Sequence, residues 1–134
     1  LHTYPKAEIR GFLLEKEAEK GIEVIIGGIR DAQFGPAIMF GMGGIMVELI
    51  KDVSFRIAPV TKGECLEMMR EIKTYPLLTG YRGSKIVNLD AIADCLIKVG
   101  KIMDETDEIK EIEINPLIAY PDEVIAVDAS VVLL

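Results

Sequence analysis

The chain has 134 residues, 50% of them hydrophobic, and no apolar run approaches the roughly 20 residues that a membrane-spanning helix needs. Its formal net charge is −7, which argues against binding to a nucleic-acid backbone, since that requires clustered basic residues. The composition therefore predicts a globular chain with a hydrophobic core and with neither nucleic-acid nor membrane partners.

Four short apolar runs in the first half of the chain predict β-strands. They cover residues 9–14, 22–26, 36–40 and 53–57. A polar stretch closed by Gly21 separates the first two runs, so we expect these two strands to be neighbours.

Two helices are predicted in the middle of the chain. Thr61 and Glu64 have the spacing of a capping box, in which each residue satisfies a backbone N–H of the other. An apolar stripe follows at Leu66, Met69 and Ile72. Asn88 is a suitable cap for a longer second helix, whose last turns Gly100 is expected to weaken. Its predicted core positions are Leu89, Ile92, Ala93, Leu96 and Ile97.

A β-hairpin is predicted at the end of the chain. Residues 111–117 alternate polar and apolar side chains, and residues 124–128 form a second apolar run after a turn at Pro121 and Asp122. If the hairpin is centred between Pro121 and Asp122, paired positions sum to 243, and Asn115 lies opposite Asp128. The Cβ atoms of such a pair are about 5 Å apart.

An amide oxygen and a carboxylate at that distance can bind the same hard cation. Mg²⁺ is usually held by one or two carboxylates together with water and substrate phosphates. The pair Asn115 and Asp128 is therefore a candidate site for a magnesium–nucleotide complex. The alternative is an ordinary edge hairpin whose outer face is polar.

Strands at both ends around two helices favour an α+β fold with a largely antiparallel sheet. Strict alternation of strand and helix is absent, which argues against a Rossmann-type sheet. The chain contains only one Gln and two Asn among many Ile, Glu and Lys residues, a bias typical of hyperthermophile proteins.

Three other stretches have both a structural and a functional interpretation. The glycine-rich residues 40–45 indicate a tight turn or a backbone approach to an anion. Arg30, beside Asp31, indicates a surface ion pair or a phosphate contact. Residues 15–17 (Glu-Lys-Glu) indicate a solvated turn or a strand end that binds adenine through its backbone.

Six ordered segments resemble one known family, the ATP-grasp β subunit or domain of ADP-forming acyl-CoA synthetases. They are GIEVIIG at 21–27, RDAQFGP at 30–36, FGMGGIMVE at 40–48, DVSFRIAP at 52–59, YPLLTGYRG at 75–83 and EINPL at 113–117. The resemblance covers nearly the whole chain. Six motifs in the same order are far more specific to the family than any one motif alone.

The resemblance implies a reversible reaction in which acyl-CoA, ADP and phosphate give the free acid, CoA and ATP. Members of the family work through an acyl phosphate and a phosphohistidine, and pair this nucleotide-binding part with a CoA-binding α subunit in a hetero-oligomer. The cofactors implied are Mg²⁺ and ADP or ATP, and the expected location is the cytoplasm. The substrate implied is acetyl-CoA.

The resemblance also assigns roles to residues. Asn115 and Asp128 match the metal-binding positions of the related succinyl-CoA synthetases. Residues 14–17, here called the hinge segment, match the hinge that holds adenine: Leu14, Glu15, Lys16 and Glu17. The family's usual Gln-Glu-Met reads Glu-Lys-Glu here, so only the backbone role carries over. Glu23 is expected to contact ribose or order the hinge, and Arg30 to face the phosphates as a catalytic residue.

The whole chain, residues 1–134, is expected to be one domain that forms the C-terminal part of the ATP-grasp unit. No segment matches the N-terminal subdomain, which in this family supplies a phosphate-binding lysine and a phosphorylated histidine, and His2 lacks the sequence that surrounds that histidine. Alone, the chain is therefore expected to be inactive. Two alternatives remain open: a succinyl-CoA synthetase-like ligase, and a non-catalytic scaffold or regulatory module with the same fold.

Overall fold

The computed structural model describes residues 3–44 and 51–134, so that residues 45–48 of the glycine-rich motif lie outside it. The described residues form six strands, two α-helices and two short 3₁₀ turns. In chain order these are β1 (Ile22–Asp31), β2 (Gly35–Met42), β3 (Val53–Ile57), α1 (Lys62–Glu71), the turns Tyr75–Leu78 and Tyr81–Gly83, α2 (Leu89–Glu105), β4 (Ile109–Ala119), β5 (Val124–Ala126) and β6 (Ala129–Leu133).

All six strands belong to one antiparallel sheet with the order β3-β2-β1-β4. Strands β5 and β6 both pair with β4 along its outer edge, one after the other. This arrangement confirms the predicted α+β fold with a largely antiparallel sheet. None of the described helices is both long enough and apolar enough to cross a bilayer.

The helices cover one face of the sheet, here called the covered face. Its strand residues are fully buried and include Val24, Ile26, Ile38, Phe40 and Leu117. Against them pack helix residues such as Met68, Leu96 and Met103. Helix α2 lies so close to β1 that a Cβ on Gly28 would be 2.6 Å from Met103 Cγ, which explains the glycine there.

The opposite face, here called the open face, carries the alternate residues of the same strands. It includes Glu23, Gly27 and Ile29 of β1, Met39 of β2, Phe55 and Ile57 of β3, and Glu111 and Glu113 of β4. Three of its apolar side chains are about half exposed: Ile29 at 46%, Phe55 at 53% and Ile57 at 52%.

Both helix starts are as predicted. The Glu64 amide donates to Thr61 Oγ1 at 3.3 Å, and the Thr61 amide donates to Glu64 Oε2 at 2.7 Å, which completes the capping box. The Ala91 amide donates to Asn88 Oδ1 at 3.0 Å at the start of α2. Gly100 does not end α2 early, because its small surface packs against the sheet near Ile38.

The predicted strand at residues 9–14 is wrong, since residues 7–21 have no regular secondary structure. Phe12, Leu13 and Leu14 are 93%, 84% and 97% exposed, respectively. A strand forms only where a neighbour satisfies its backbone groups, and no described strand lies beside this run. Its apolar composition indicated buried side chains, but no described part of the chain packs over them.

Candidate functional site

The register of the terminal hairpin agrees with the prediction. Leu117 pairs with Ala126, and Ile114 pairs with Ala129, so paired positions sum to 243 on both sides of the candidate residues. Between those pairs, the backbone N–H of Asn115 donates to the backbone carbonyl of Asp128 at 3.0 Å. The structure therefore places Asn115 opposite Asp128, as the hairpin arithmetic required.

The ladder is irregular where these two residues lie. The pairing of β1 with β4 shifts by one residue between Val24 and Ile26, next to Asn115. The outer strand also breaks here, because β5 ends at Ala126 and β6 begins at Ala129. Such irregularities re-aim side chains and are common beside active sites. Both candidate ligands thus lie where the sheet departs from regular pairing.

The side chain of Asn115 is oriented by its neighbour on β4. Asn115 Nδ2 donates to Glu113 Oε1 at 3.1 Å. With its amide nitrogen engaged in this way, Asn115 has its Oδ1 available as a ligand. Asn115 and Asp128 are both exposed to solvent, so a metal-bound nucleotide has access to them.

The donor set fits Mg²⁺ bound together with a nucleotide. An amide oxygen and a carboxylate are hard ligands, and water and phosphate oxygens normally complete the magnesium octahedron. Within residues 3–44 and 51–134, no group of three or more His, Cys, Asp or Glu side chains could hold a metal. An amide oxygen and one carboxylate would therefore suit a metal that phosphate oxygens also hold.

The hinge segment lies beside the same hairpin. A cavity of about 630 Å³ is lined by residues 15–18 on one side and by residues 125–127 on the other. Val127 directly precedes Asp128, so the segment expected to hold the base lies next to the residues expected to hold the metal. Leu14, at the start of the hinge segment, is 97% exposed.

Glu23 lies near the beginning of β1, where it meets the glycine-rich turn. The Gly43 amide donates to the Glu23 carbonyl at 2.7 Å, and a Cβ on Gly43 would lie 3.0 Å from Glu23 Cβ. Gly44 has a φ of +89°, which favours glycine. These contacts support the tight-turn interpretation of the described part of the run. A cavity of about 410 Å³ is lined by residues 18–23, Met42, Gly43 and Ile118.

Arg30 lies on the covered face, away from the candidate metal ligands. Its guanidinium donates to the carbonyls of Met103 at 2.6 Å, Thr106 at 2.8 Å and Ile109 at 3.0 Å. A cation placed there neutralises the negative end of the α2 dipole and satisfies carbonyls that the helix leaves free. In the structure Arg30 therefore holds the end of α2 against the sheet, and its expected contact with the phosphates stays a prediction.

One residue with a clear structural role near the site was not singled out from the sequence. Tyr120, immediately after β4, donates its hydroxyl to the Glu19 carbonyl at 2.6 Å. The partners are 101 positions apart, so no local spacing rule connects them. The available signal was weaker: a tyrosine that ends an apolar strand often uses its hydroxyl to find a polar partner.

The comparisons with known proteins agree with this architecture. The sequence pattern that describes the ATP-grasp domain matches residues 1–133. The chain is 57% identical over 129 residues to the β subunit of ADP-forming acetate–CoA ligase I of Pyrococcus furiosus. That alignment covers 96% of this chain and 56% of the relative, so the chain spans little more than half of the relative's length.

Two solved structures of acetyl-coenzyme A synthetase 1 from Candidatus Korarchaeum cryptofilum have the same fold. One, in complex with coenzyme A and Ca-AMPCP, has a TM-score of 0.90 and 49% identity, over 99% of this chain and 58% of that one. The other is in complex with coenzyme A and Mg-AMPPCP, with its phosphohistidine segment pointing towards the nucleotide binding site. It has a TM-score of 0.85 and 50% identity, over 87% of this chain and 55% of that one.

Proposed function

The chain belongs to the ATP-grasp family, and from this premise we propose that it is the nucleotide- and Mg²⁺-binding part of an ADP-forming acetyl-CoA synthetase. The complete enzyme would convert acetyl-CoA, ADP and phosphate into acetate, CoA and ATP, and would also run in the reverse direction. This assigns it to the acid–CoA ligases. The similar ligase from Pyrococcus furiosus and the similar synthetase from Korarchaeum support that substrate.

The observation that carries the proposal is the placement of Asn115 opposite Asp128. It puts two oxygen ligands at the irregular edge of the sheet, close to the cavity that the hinge segment lines. A nucleotide whose base lies along the hinge segment would extend its phosphates towards this pair. The similar Korarchaeum synthetase was solved with a magnesium–nucleotide complex.

Each residue has a limited task in this proposal. Asn115 and Asp128 would bind Mg²⁺, and Glu113 would keep the Asn115 amide oriented through its hydrogen bond to Nδ2. Residues 15–17 would contact the base through their backbone, since Glu-Lys-Glu offers no side chain of the usual kind. The bound metal supplies neutralisation of phosphate charge, which is the main requirement for phosphoryl transfer.

We further propose that the chain is the C-terminal portion of the ATP-grasp unit and works with other parts. The relatives are nearly twice as long, and one of them is a β subunit, which implies an α partner. That partner would bind CoA within a hetero-oligomer, and the N-terminal ATP-grasp subdomain would supply the phosphorylated histidine. Cys65 and Cys95 are free thiols, which is consistent with a reducing, cytoplasmic setting.

The test is calorimetric titration of Mg·ADP into the complete protein and into an Asn115→Ala, Asp128→Ala double variant. We expect the double variant to bind Mg·ADP about 100-fold more weakly, since even outer-shell changes at metal sites cost 10- to 100-fold. The affinity of the double variant for metal-free ADP should fall much less, because the contacts of the hinge segment with the base remain. Circular dichroism of both proteins checks that the fold is retained.

Asp104→Ala is the matched control, because it removes one exposed carboxylate from the last turn of α2, which belongs to neither strand of the hairpin. It should bind Mg·ADP as the unmodified protein does. If the unmodified protein does not bind Mg·ADP even with its α partner present, the non-catalytic scaffold is the better account. If the double variant binds as well as the unmodified protein, Asn115 and Asp128 are not the metal ligands.

A further inference from the structure

The segment before β1 is attached to the rest of the molecule through Tyr120. Residues 7–21 have no regular secondary structure, and the Tyr120 hydroxyl donates to the Glu19 carbonyl at 2.6 Å. Among the residues that the structure describes, this is the only hydrogen bond joining residues 3–20 to the sheet or helices. Glu19 lies two positions beyond the hinge segment, so this contact fixes the position of the chain between the hinge segment and β1.

Tyr120 is a rigid point of attachment. Its backbone N–H donates to the Glu123 carbonyl at 2.9 Å, which closes the turn between β4 and β5. Its carbonyl accepts the Asn88 amide at 2.8 Å, and Asn88 caps α2. The backbone that carries the phenol is therefore fixed by the hairpin on one side and by the helix on the other.

The chain also passes very close to Tyr120 just before β1. A Cβ on Gly21 would lie 2.6 Å from Ile118 Cγ2 and 2.9 Å from Tyr120 Cε1. Only glycine fits this gap without displacing a neighbour. The path from Glu19 to Gly21 is thus determined by two contacts with Tyr120: a hydrogen bond to the hydroxyl and close packing against the ring.

A cavity lies at this contact, on the same side of the molecule as the one beside residues 125–127. Its volume is about 380 Å³, and residues 16–19 line it together with Tyr120, Asp122, Glu123 and Ile125. Because residues 16–19 and the hairpin bound this cavity, the Tyr120–Glu19 contact helps to set its width.

We propose that Tyr120 is a positioning residue that holds the hinge segment at the distance from the hairpin that the nucleotide base requires. Tyr120 follows β4, the strand that also carries Asn115, so one strand fixes both the base end and the metal end of the site. This inference rests on the proposed nucleotide-binding function and adds a residue that acts through the hinge segment.

The protonation state of the phenol suits this role. Partial burial, together with the charges of Glu19 and Glu123, raises the pKa of Tyr120 above its ordinary value. The hydroxyl therefore remains a donor throughout the neutral and mildly alkaline range.

The test compares Tyr120→Phe with Tyr81→Phe in the complete protein with its partner subunit. Both variants remove one phenolic oxygen, and Tyr81 is half exposed on the turn Tyr81–Gly83, away from the hairpin. We expect Tyr120→Phe to raise the Kd and the KM for Mg·ADP about fivefold, the effect of one hydrogen bond. The kcat value and the KM for CoA should be unchanged, and Tyr81→Phe should match the unmodified protein.

Hydrogen exchange supplies a measurement that does not depend on activity. With Mg·ADP bound, the amides of residues 15–17, which the base would engage, should exchange faster in Tyr120→Phe than in the unmodified protein, while those of β1 and α2 keep their rates. Faster exchange along β1 and α2 as well, with kcat and the KM for CoA altered, would show a general structural role and overturn the proposal.

The two proposals fail in different ways. If the unmodified protein does not bind Mg·ADP, the nucleotide-binding function fails, and the positioning role fails with it. If the unmodified protein binds Mg·ADP and Tyr120→Phe binds it equally well, with equal exchange at residues 15–17, only the positioning role of Tyr120 is overturned.

Discussion

The two faces of the sheet differ in how completely this chain buries them. On the covered face, Ile26, Ile38 and Phe40 have no exposed surface, and the buried Ser54 hydroxyl donates to the Met68 carbonyl at 2.7 Å. On the open face, Phe55 and Ile57 remain about half exposed. Burial of apolar area is the main source of folding free energy. The covered face therefore contributes most of the stability of the described fold, and the open face contributes less.

The largest expected effect comes from truncating the same residue type on each face. Phe40 on β2 and Phe55 on β3 are on neighbouring strands but point to opposite faces. Phe40→Ala should lower the free energy of unfolding of the complete protein by about 3–5 kcal/mol, because it leaves a cavity. Phe55→Ala should lower it by about 0.5 kcal/mol or less. Differential scanning calorimetry of the two variants measures the contrast.

An equal loss for both variants would contradict the comparison of the two faces. It would mean that another part of the complete protein buries the open face around Phe55 as thoroughly as the helices bury Phe40. The contrast therefore also reports how much of the open face stays accessible in the whole molecule.

The second effect concerns Arg30, whose sequence-based and structural roles differ. Arg30→Met should destabilise the protein by about 3 kcal/mol, because three charge-assisted hydrogen bonds to carbonyls at the end of α2 are lost. The affinity for Mg·ADP should not change, since the guanidinium lies on the covered face. Thermal unfolding and calorimetric titration of the same preparation separate the two quantities.

Arg56→Met is the matched control for this experiment. Arg56 forms an ion pair with Glu71, which is itself about half exposed, and such a pair contributes about 1 kcal/mol or less. If Arg30→Met instead loses nucleotide affinity while its unfolding temperature stays near that of the unmodified protein, the phosphate contact implied by the resemblance is the better account.

The sequence predicted the covered face more accurately than the segment before β1, for a physical reason. The helix stripes around Met69 and Leu96, and the caps at Thr61 and Asn88, are satisfied within the chain. Periodicity and capping rules describe interactions of this kind. The run at residues 9–14 was misassigned because its apolar character indicates burial without saying which part of a protein supplies it.

The candidate site was predictable to the extent that it depends on strand register. Alternation in residues 111–117 and the turn at Pro121 determined that Asn115 and Asp128 lie opposite each other. Arg30 and Tyr120 could not be placed in this way. Their partners, Met103 and Glu19, are 73 and 101 positions away, and only the packed fold brings such groups together.

The smallest expected effect is at the margin between the sheet and the helices, where Asp52 ties the start of β3 to the residues after α1. Its carboxylate accepts the Lys73 amide and the Thr74 amide, both at 2.8 Å, and the Thr74 hydroxyl. Burial acts to raise the pKa of Asp52, but these hydrogen bonds and the Lys73 charge together hold it below its ordinary value.

The sign of the resulting pH dependence follows from that lowered pKa. An Asp that is more acidic in the folded state adds stability above its unfolded pKa of about 3.9, and this contribution is lost as the pH falls through the folded value. The gap in unfolding temperature between the unmodified protein and Asp52→Asn should therefore be constant above about pH 5 and close below about pH 4.

Thr74→Val is a second comparison, because it keeps both amide donors to Asp52 but removes the hydroxyl. The difference in unfolding temperature between Thr74→Val and Asp52→Asn should be smaller at neutral pH, and it should also close as the pH falls. A gap that stays constant down to acid pH would show that the Asp52 carboxylate does not link the two layers through its charge, and that the margin between them is held by packing alone.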